Sequence, residues 1–355
     1  MIATLVRLAV RRSLNDTRHI KVVKPRHARG LVKDVYDQVE RDFGMLAPPT
    51  ALHSPSPEAL AACWMILRET LLAEGEADRA AKEAVATGVS VANNCPYCED
   101  VHGMTLDALA GGPGGEALRE WAKGSATAAG AGPVPGPPEQ APELIGVALA
   151  FQYYNRVANV FLTDSPFPAH VPLSARSRAR QVLGGVLRRS AGGGARPGDS
   201  LDLLPPAPAP EDLDWARPNE VVTDAFARAY AAIDSAGVRS VPERVRDLVE
   251  ERLSTWDGAA PGLSRAWVEE AIAGLPAAEQ PAGRLALLVA FASYQVDEGV
   301  VEGFRACEPD DAALIETVSW ASMAAARRIS SWLPRHGDDT GNEEAETPMR
   351  KEVVR

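Results

Sequence analysis

Long runs that alternate β-branched with polar residues are hard to find in these 355 residues, whereas alanine is abundant and aromatics are sparse. Half-buried strands need such alternation and helices do not, so the chain is expected to be all-α. Gly and Pro then punctuate the helices. Asp34 to Phe43 has helical periodicity, ended by Gly44 and the Pro48-Pro49 pair. Ser56-Pro57 offers an N-cap followed by proline at the first helical position, opening a helix to about Ala73 that Gly75 breaks. A further helix spans about Ala77 to Ala92 and carries Glu83. Asn93-Asn94 interrupts it, and the next helix opens at Cys95 and reaches Ala110. Gly111 to Pro142 reads as a loop around a short helix near 116–123. Leu144 to Leu162 is apolar but contains Gln152, Asn155 and Arg156, which suits a buried helix better than a membrane span.

Five regions follow from these breaks. Residues 1–30 form a basic segment, 31–190 a helical domain, 191–216 a Pro/Gly-rich linker, 217–336 a second helical domain, and 337–355 a polar tail expected to be disordered. Arg284 to Phe304 has the layout of the Glu83–His102 region: a small-residue helix, a polar interruption, a second helix. It has no cysteine pair and no matching histidine. An internal repeat is expected, whose second copy keeps the scaffold and has lost the chemistry.

The formal charge of −11 argues against nucleic-acid binding, since only the first 33 residues offer a basic face. Met1 to Leu14 is apolar with Arg7, Arg11 and Arg12 set among and after the apolar residues. A secretory signal would carry its charge first and end in a small-residue cleavage site. The segment is read as an amphipathic helix packed on its own domain, with peripheral contact to an anionic membrane or acidic partner as the alternative. Four cysteines, one close pair and two singletons, fit a reducing cytoplasm. Cys63 and Cys307 sit in apolar helical contexts and read as inert packing.

The close pair is the richest chemistry in the chain. Cys95 takes the cap position of a helix, Pro96 fits its first turn, and Cys98 follows on the same face, near enough for a disulfide. The helix dipole there is expected to favour a thiolate. His102 lies four residues beyond Cys98 on that face and can exchange a proton with it. Glu83 can return towards Cys95 across the Asn93-Asn94 turn, where burial would raise its pKa and make it a base. A zinc site of Cys95, Cys98 and His102, with Glu83 as fourth ligand, competes with this reading, although structural zinc more often draws on a second, distant ligand pair and none is present. Tyr97 reads as a partly exposed aromatic.

Glu83, eleven residues, Cys95-x-x-Cys98, three residues, His102 resembles the signature of the AhpD-like alkylhydroperoxidase and carboxymuconolactone decarboxylase superfamily. FGMLAPPTALHSP at Phe43–Pro55 and AAKEAVATGVSVANNCPYCEDVH at Ala80–His102 agree with it, and the resemblance covers about Val35 to Leu109. It implies an all-helical AhpD-like fold, a homo-oligomer, and a thiol pair that reduces hydroperoxides before a lipoylated or thioredoxin-like dithiol partner restores it. Carried over by position, it makes Cys98 the peroxide-attacking thiol and Cys95 the resolving one, with Glu83 and His102 as proton relay. Tyr97 departs from the pattern, because the best-known members have a histidine between the cysteines. Members devoted to lactone decarboxylation generally lack the CxxC pair, so that activity is not expected. The expected function is a thiol peroxidase needing no metal, haem or flavin. The alternatives are a protein disulfide reductase or redox sensor, and a non-enzymatic interaction protein with redox-responsive thiols.

Overall fold

The computed structural model describes residues 10–11, 13–109, 115–167, 173–191 and 194–333. The whole of the tail expected to be disordered, 337–355, lies outside these, as do residues 1–9 and 12 of the basic segment. Among the described residues the chain is all-α, with one isolated bridge between Ala73 and Ala195.

In the first half, helices α1 (Gly30–Gln38), α2 (Pro57–Leu67), α3 (Arg79–Ala92), α4 (Pro96–Leu109), α5 (Gly115–Gly124), α6 (Ala141–Phe161) and α7 (Leu173–Ala191) follow one another. The second half runs through α8 (Glu220–Ser240), α9 (Glu243–Thr255), α10 (Ala266–Ile272), α11 (Gln280–Ala292), α12 (Glu298–Cys307) and α13 (Asp311–Ser330). Both halves contain the same order: a helix, a short break, a helix, and then a long buried helix packed back on the first. In the first half this is α3, α4 and α6, with α5 inserted before α6; in the second it is α11, α12 and α13 with no such insertion.

The ends of these helices have local causes. The Asp78 carboxylate accepts from the Ala81 amide at 2.8 Å and opens α3, and Asp297 and Asp310 do the same for α12 and α13. Each such cap contributes about 1 kcal/mol. Ser56 occupies the expected cap position of α2 beside Pro57, but its hydroxyl donates instead to Glu316 of α13 at 2.9 Å. A tertiary carboxylate outcompetes the local amide.

Four helices form the centre. Helix α2 packs on α8, α6 packs on α13, and α8 closes against α13, so one continuous apolar core runs through both halves. Helix α3 lies on the flank of α6, sandwiched by α4 and α5. Part of the Pro/Gly-rich linker is also tied down. Buried Arg68 donates to Asp42 at 2.6 Å and to Glu69, and Glu69 accepts from the Gly198 amide at 2.8 Å and the Ser200 amide at 3.1 Å. Sequence pattern alone assigns no element to 173–191. The structure makes it α7, which crosses α4 closely at Gly184, where a Cβ would sit 3.0 Å from the Met104 carbonyl.

Candidate active site

The α3–α4 hairpin builds the site. Asn94 adopts a left-handed backbone (φ 48°) that ends α3 and reverses the chain, a conformation asparagine tolerates better than most residues. The Cys95 amide closes onto the Ser90 carbonyl at 3.0 Å, and the Cys95 carbonyl accepts from Glu99 at 3.0 Å, so Cys95 stands at the cap of α4 as its spacing requires. The hairpin places Glu83 of α3 against His102 of α4, Oε2 to Nδ1 at 2.6 Å. Glu83 is 1% exposed, and its other oxygen accepts from Arg79 Nε at 2.8 Å. Edge-on contact with Phe151 of α6, with ring centroids 4.5 Å apart, holds the imidazole in place.

Glu83 differs from the expectation. It turns to His102 and Arg79, and its pKa lies below the ordinary carboxylate value. Burial alone would raise it, but the charges of Arg79 and His102 and their hydrogen bonds outweigh burial. With its pKa lowered and both oxygens held by Arg79 and His102, the Glu83 carboxylate is a weak base. It accepts the Nδ1 proton, which leaves Nε2 with a free lone pair. In its neutral form the imidazole can then accept a proton at Nε2.

Both thiols are reduced and buried, Cys95 1% and Cys98 3% exposed. Cys98 is hydrogen-bonded to Cys95 and receives a further hydrogen bond from Asn155 of α6. Its pKa is pushed well above the ordinary thiol value by that bond to Cys95, then by burial and the charge of the neighbouring sulfur, with Asn155 opposing. Against the thiolate expected at the helix terminus, the bond to Cys95, desolvation and the like charge beside it all favour the protonated thiol. Cys98 needs a base to ionise. Together with His102 it walls an apolar cavity of ≈ 80 Å³ closed by Phe43, Met45, Phe151 and Tyr154. The segment matching FGMLAPP thus lines the space in front of the sulfur.

Tyr97 is half-buried and belongs to two spaces, that cavity and a polar cleft lined by Arg18, Asn94, Asn159, Asp164 and Tyr294. Its hydroxyl is held protonated by burial, reinforced by the charges of Cys98 and Cys95. Cys63 is buried, and its thiol is pushed up to about 12 by burial, in keeping with inert packing. Cys307 is exposed at the end of α12, contrary to the packing role read from its helical context. No group of three or more His, Cys, Asp or Glu side chains converges as a metal set among the described residues. The same residues include no helix long and apolar enough to cross a membrane.

Residues 58–132 match the model of the carboxymuconolactone decarboxylase family. An alkyl hydroperoxide reductase of Mycobacterium tuberculosis (strain ATCC 25618 / H37Rv) is 36% identical over 331 residues, 89% of this chain and 94% of the relative. The chain belongs to the AhpD-like alkylhydroperoxidase and carboxymuconolactone decarboxylase superfamily. No solved structure matches it. The family model reaches only the first half of this AhpD-like fold, whereas the similarity to the mycobacterial relative extends over both.

Several site residues escaped the sequence pattern. Arg79 and Glu83 are spaced i,i+4, a signal for an ion pair that was open to view. Phe151, Tyr154 and Asn155 arrive from α6, and nothing local ties them to the cysteines. The polar residues of that apolar helix were the available hint. Gln152 and Asn155 accept from Asn93 at 2.9 and 3.2 Å, and Arg156 donates to Asn93 at 3.2 Å, so they fasten the turn that launches α4.

Proposed function

We propose that this superfamily member is a thiol peroxidase that reduces alkyl hydroperoxides through its Cys95/Cys98 pair. The observation that carries this reading is the placement of Cys98 and a carboxylate-oriented His102 on the wall of one small apolar cavity. The name of the mycobacterial relative supports it. His102 Nε2 takes the Cys98 proton as the sulfur attacks the peroxide. The S–O bond forms as O–O breaks, and the leaving alkoxide takes a proton back from the imidazolium, giving an alcohol and a Cys98 sulfenic acid. Cys95 then attacks that sulfur; S–S forms, S–O breaks, and the hydroxyl leaves with the Cys95 proton as water. The balance is one hydroperoxide and two thiols to one alcohol, one water and one disulfide. A lipoylated or thioredoxin-like dithiol partner restores the pair by exchange. The second half serves as scaffold, and copies of the chain assemble into a homo-oligomer in a reducing compartment.

A protein-disulfide substrate fits less well, because both sulfurs are buried beyond the reach of a bulky disulfide. Stopped-flow mixing of the reduced protein with an alkyl hydroperoxide tests the proposal. One disulfide per chain should form, Cys98→Ser should abolish the reaction, and Cys95→Ser should stop at the sulfenic acid. Thiols that ignore peroxide but are oxidised by a protein disulfide would transfer the assignment to a reductase.

A further inference from the structure

The charge of this acidic chain is sharply segregated. Residues 1–33 contain nine Lys or Arg and one acid, Asp16. A second such stretch, 165–198, contains six arginines and no acid at all. Together they hold 15 of the 37 basic residues and 1 of the 48 acidic ones, which leaves the remainder of the chain strongly negative. The second stretch is largely α7, the element that sequence pattern left unassigned.

Among the described residues, both stretches reach the Cys98 cavity. Val10 and Ser13 of the first line its wall, with Pro166, Leu183 and Leu187 of the second. Arg18 lies in the adjoining cleft beside Tyr97 and is exposed. Helix α7 turns its apolar side inward, with Val186 and Leu187 buried, and shows Arg178, Gln181, Val182 and Arg188 to solvent. Acids of α4 face part of it: Asp100 pairs with Arg180, and Asp107 shares a groove with Arg180 and Arg188. Arg178 and Arg188 make no ion pair among the described residues. The cavity itself is small and apolar, so it holds a peroxide head and not the whole of a larger substrate.

We propose that this face docks on an anionic lipid surface, so that the hydroperoxides delivered to Cys98 are those borne by lipid acyl chains. The substrate class rests on the peroxidase reading above, with the lipid hydroperoxide leaving as a lipid alcohol and water while the dithiol becomes the disulfide. Juxtaposed basic residues gain attraction to anionic headgroups additively and lose it within a Debye length. An acidic remainder orients the molecule with this face towards the membrane.

Vesicle flotation with the full chain decides the docking. The protein should float with vesicles rich in phosphatidylglycerol and not with pure phosphatidylcholine, and should release at about 0.5 M salt. The double variant Arg178→Glu, Arg188→Glu should bind anionic vesicles about 30-fold or more weakly, from roughly 1 kcal/mol per lost basic residue. It should reduce a small soluble hydroperoxide at the unmutated rate, yet be slowed with phospholipid hydroperoxide presented in those vesicles. Equal flotation with both vesicle types, or undiminished binding by the variant, would overturn the proposal. So would a variant whose only change is a smaller oligomer, which would assign the face to a second copy of the chain. Anionic flotation without thiol oxidation by either peroxide would leave the docking standing and sink the peroxidase reading with its substrate class.

Discussion

At the scale of single residues, two burials with opposite consequences govern the chemistry. Glu83 is buried yet ionised because Arg79 and His102 meet it, while Cys98 is buried against a second sulfur and stays protonated. Proton transfer through His102 is then the step a mutation should expose. His102→Asn keeps a donor for Glu83 but removes the base, and should slow Cys98 oxidation about 10²–10⁴-fold at neutral pH. The deficit should shrink as the pH is raised, read by stopped-flow across pH, because hydroxide then supplies the missing base. Glu83→Gln should cost less, about tenfold, since the ring keeps its place and loses only the charge behind it. A separate pH effect belongs to stability. His53 is buried between Thr50 and Tyr153, and burial lowers its pKa from 6.5 to about 4. The unfolded chain binds that proton more readily. The stabilisation is therefore fully present above pH 6.5 and lost as the pH falls towards 4, about 3 kcal/mol in all. Urea titrations at several pH values should show this loss, and His53→Asn should flatten it. The two cysteines, His102 and Glu83 were legible from spacing. Their protonation states were not, because desolvation and neighbouring charge come from α6 and from the turn of α3 below Glu83.

At the scale of elements, the site depends on how closely α3 is clasped. Gly88 sits where α3 meets α5, and an added Cβ would lie 2.3 Å from the Arg119 carbonyl and 3.0 Å from the Ala122 Cβ. Alanine favours a helix by about 1 kcal/mol over glycine, but a backbone carbonyl cannot move aside cheaply. Gly88→Ala should accordingly destabilise by about 1–3 kcal/mol and lower the midpoint of thermal unfolding. Gly103 of α4 faces open space, so Gly103→Ala should raise stability by about 0.5–1 kcal/mol. The contrast separates helix propensity from packing. Helices α2 to α6 were readable because Ser56-Pro57, Gly75, the Asn93-Asn94 turn and Pro96 mark ends within the sequence. Helix α7 was not, since Gly184-Gly185 and a run of Ser and Arg look like a breaker until α4 is there to pack against.

At the scale of the whole molecule, the halves share their interior. Buried Arg156 of α6 donates to the Ala290 carbonyl of α11 at 3.1 Å and to Gln152 and Asn93, and pairs with no carboxylate among the described residues. Burial lowers its pKa to about 10, so it remains charged at neutral pH. Arg156→Met would strand several buried acceptors at once and should cost about 2–4 kcal/mol, measured by denaturant unfolding. With α2 seated on α8 and α6 on α13, the chain should unfold in one transition, and residues 217–336 expressed alone should expose the faces of α8 and α13 and fail to fold. Calorimetry of the full chain and of that fragment would test both statements. The sequence by itself determined the all-α class, the hairpin that pairs two sulfurs, and the imidazole and carboxylate that serve them, because period and spacing act within a few helical turns. Only the tertiary structure decided that Glu83 is charged, that Phe151 and Asn155 complete the site, and that two cationic stretches far apart in the chain both reach the cavity wall. Those outcomes depend on which distant groups exclude water from, or bring charge to, a given atom, and no local pattern carries that information.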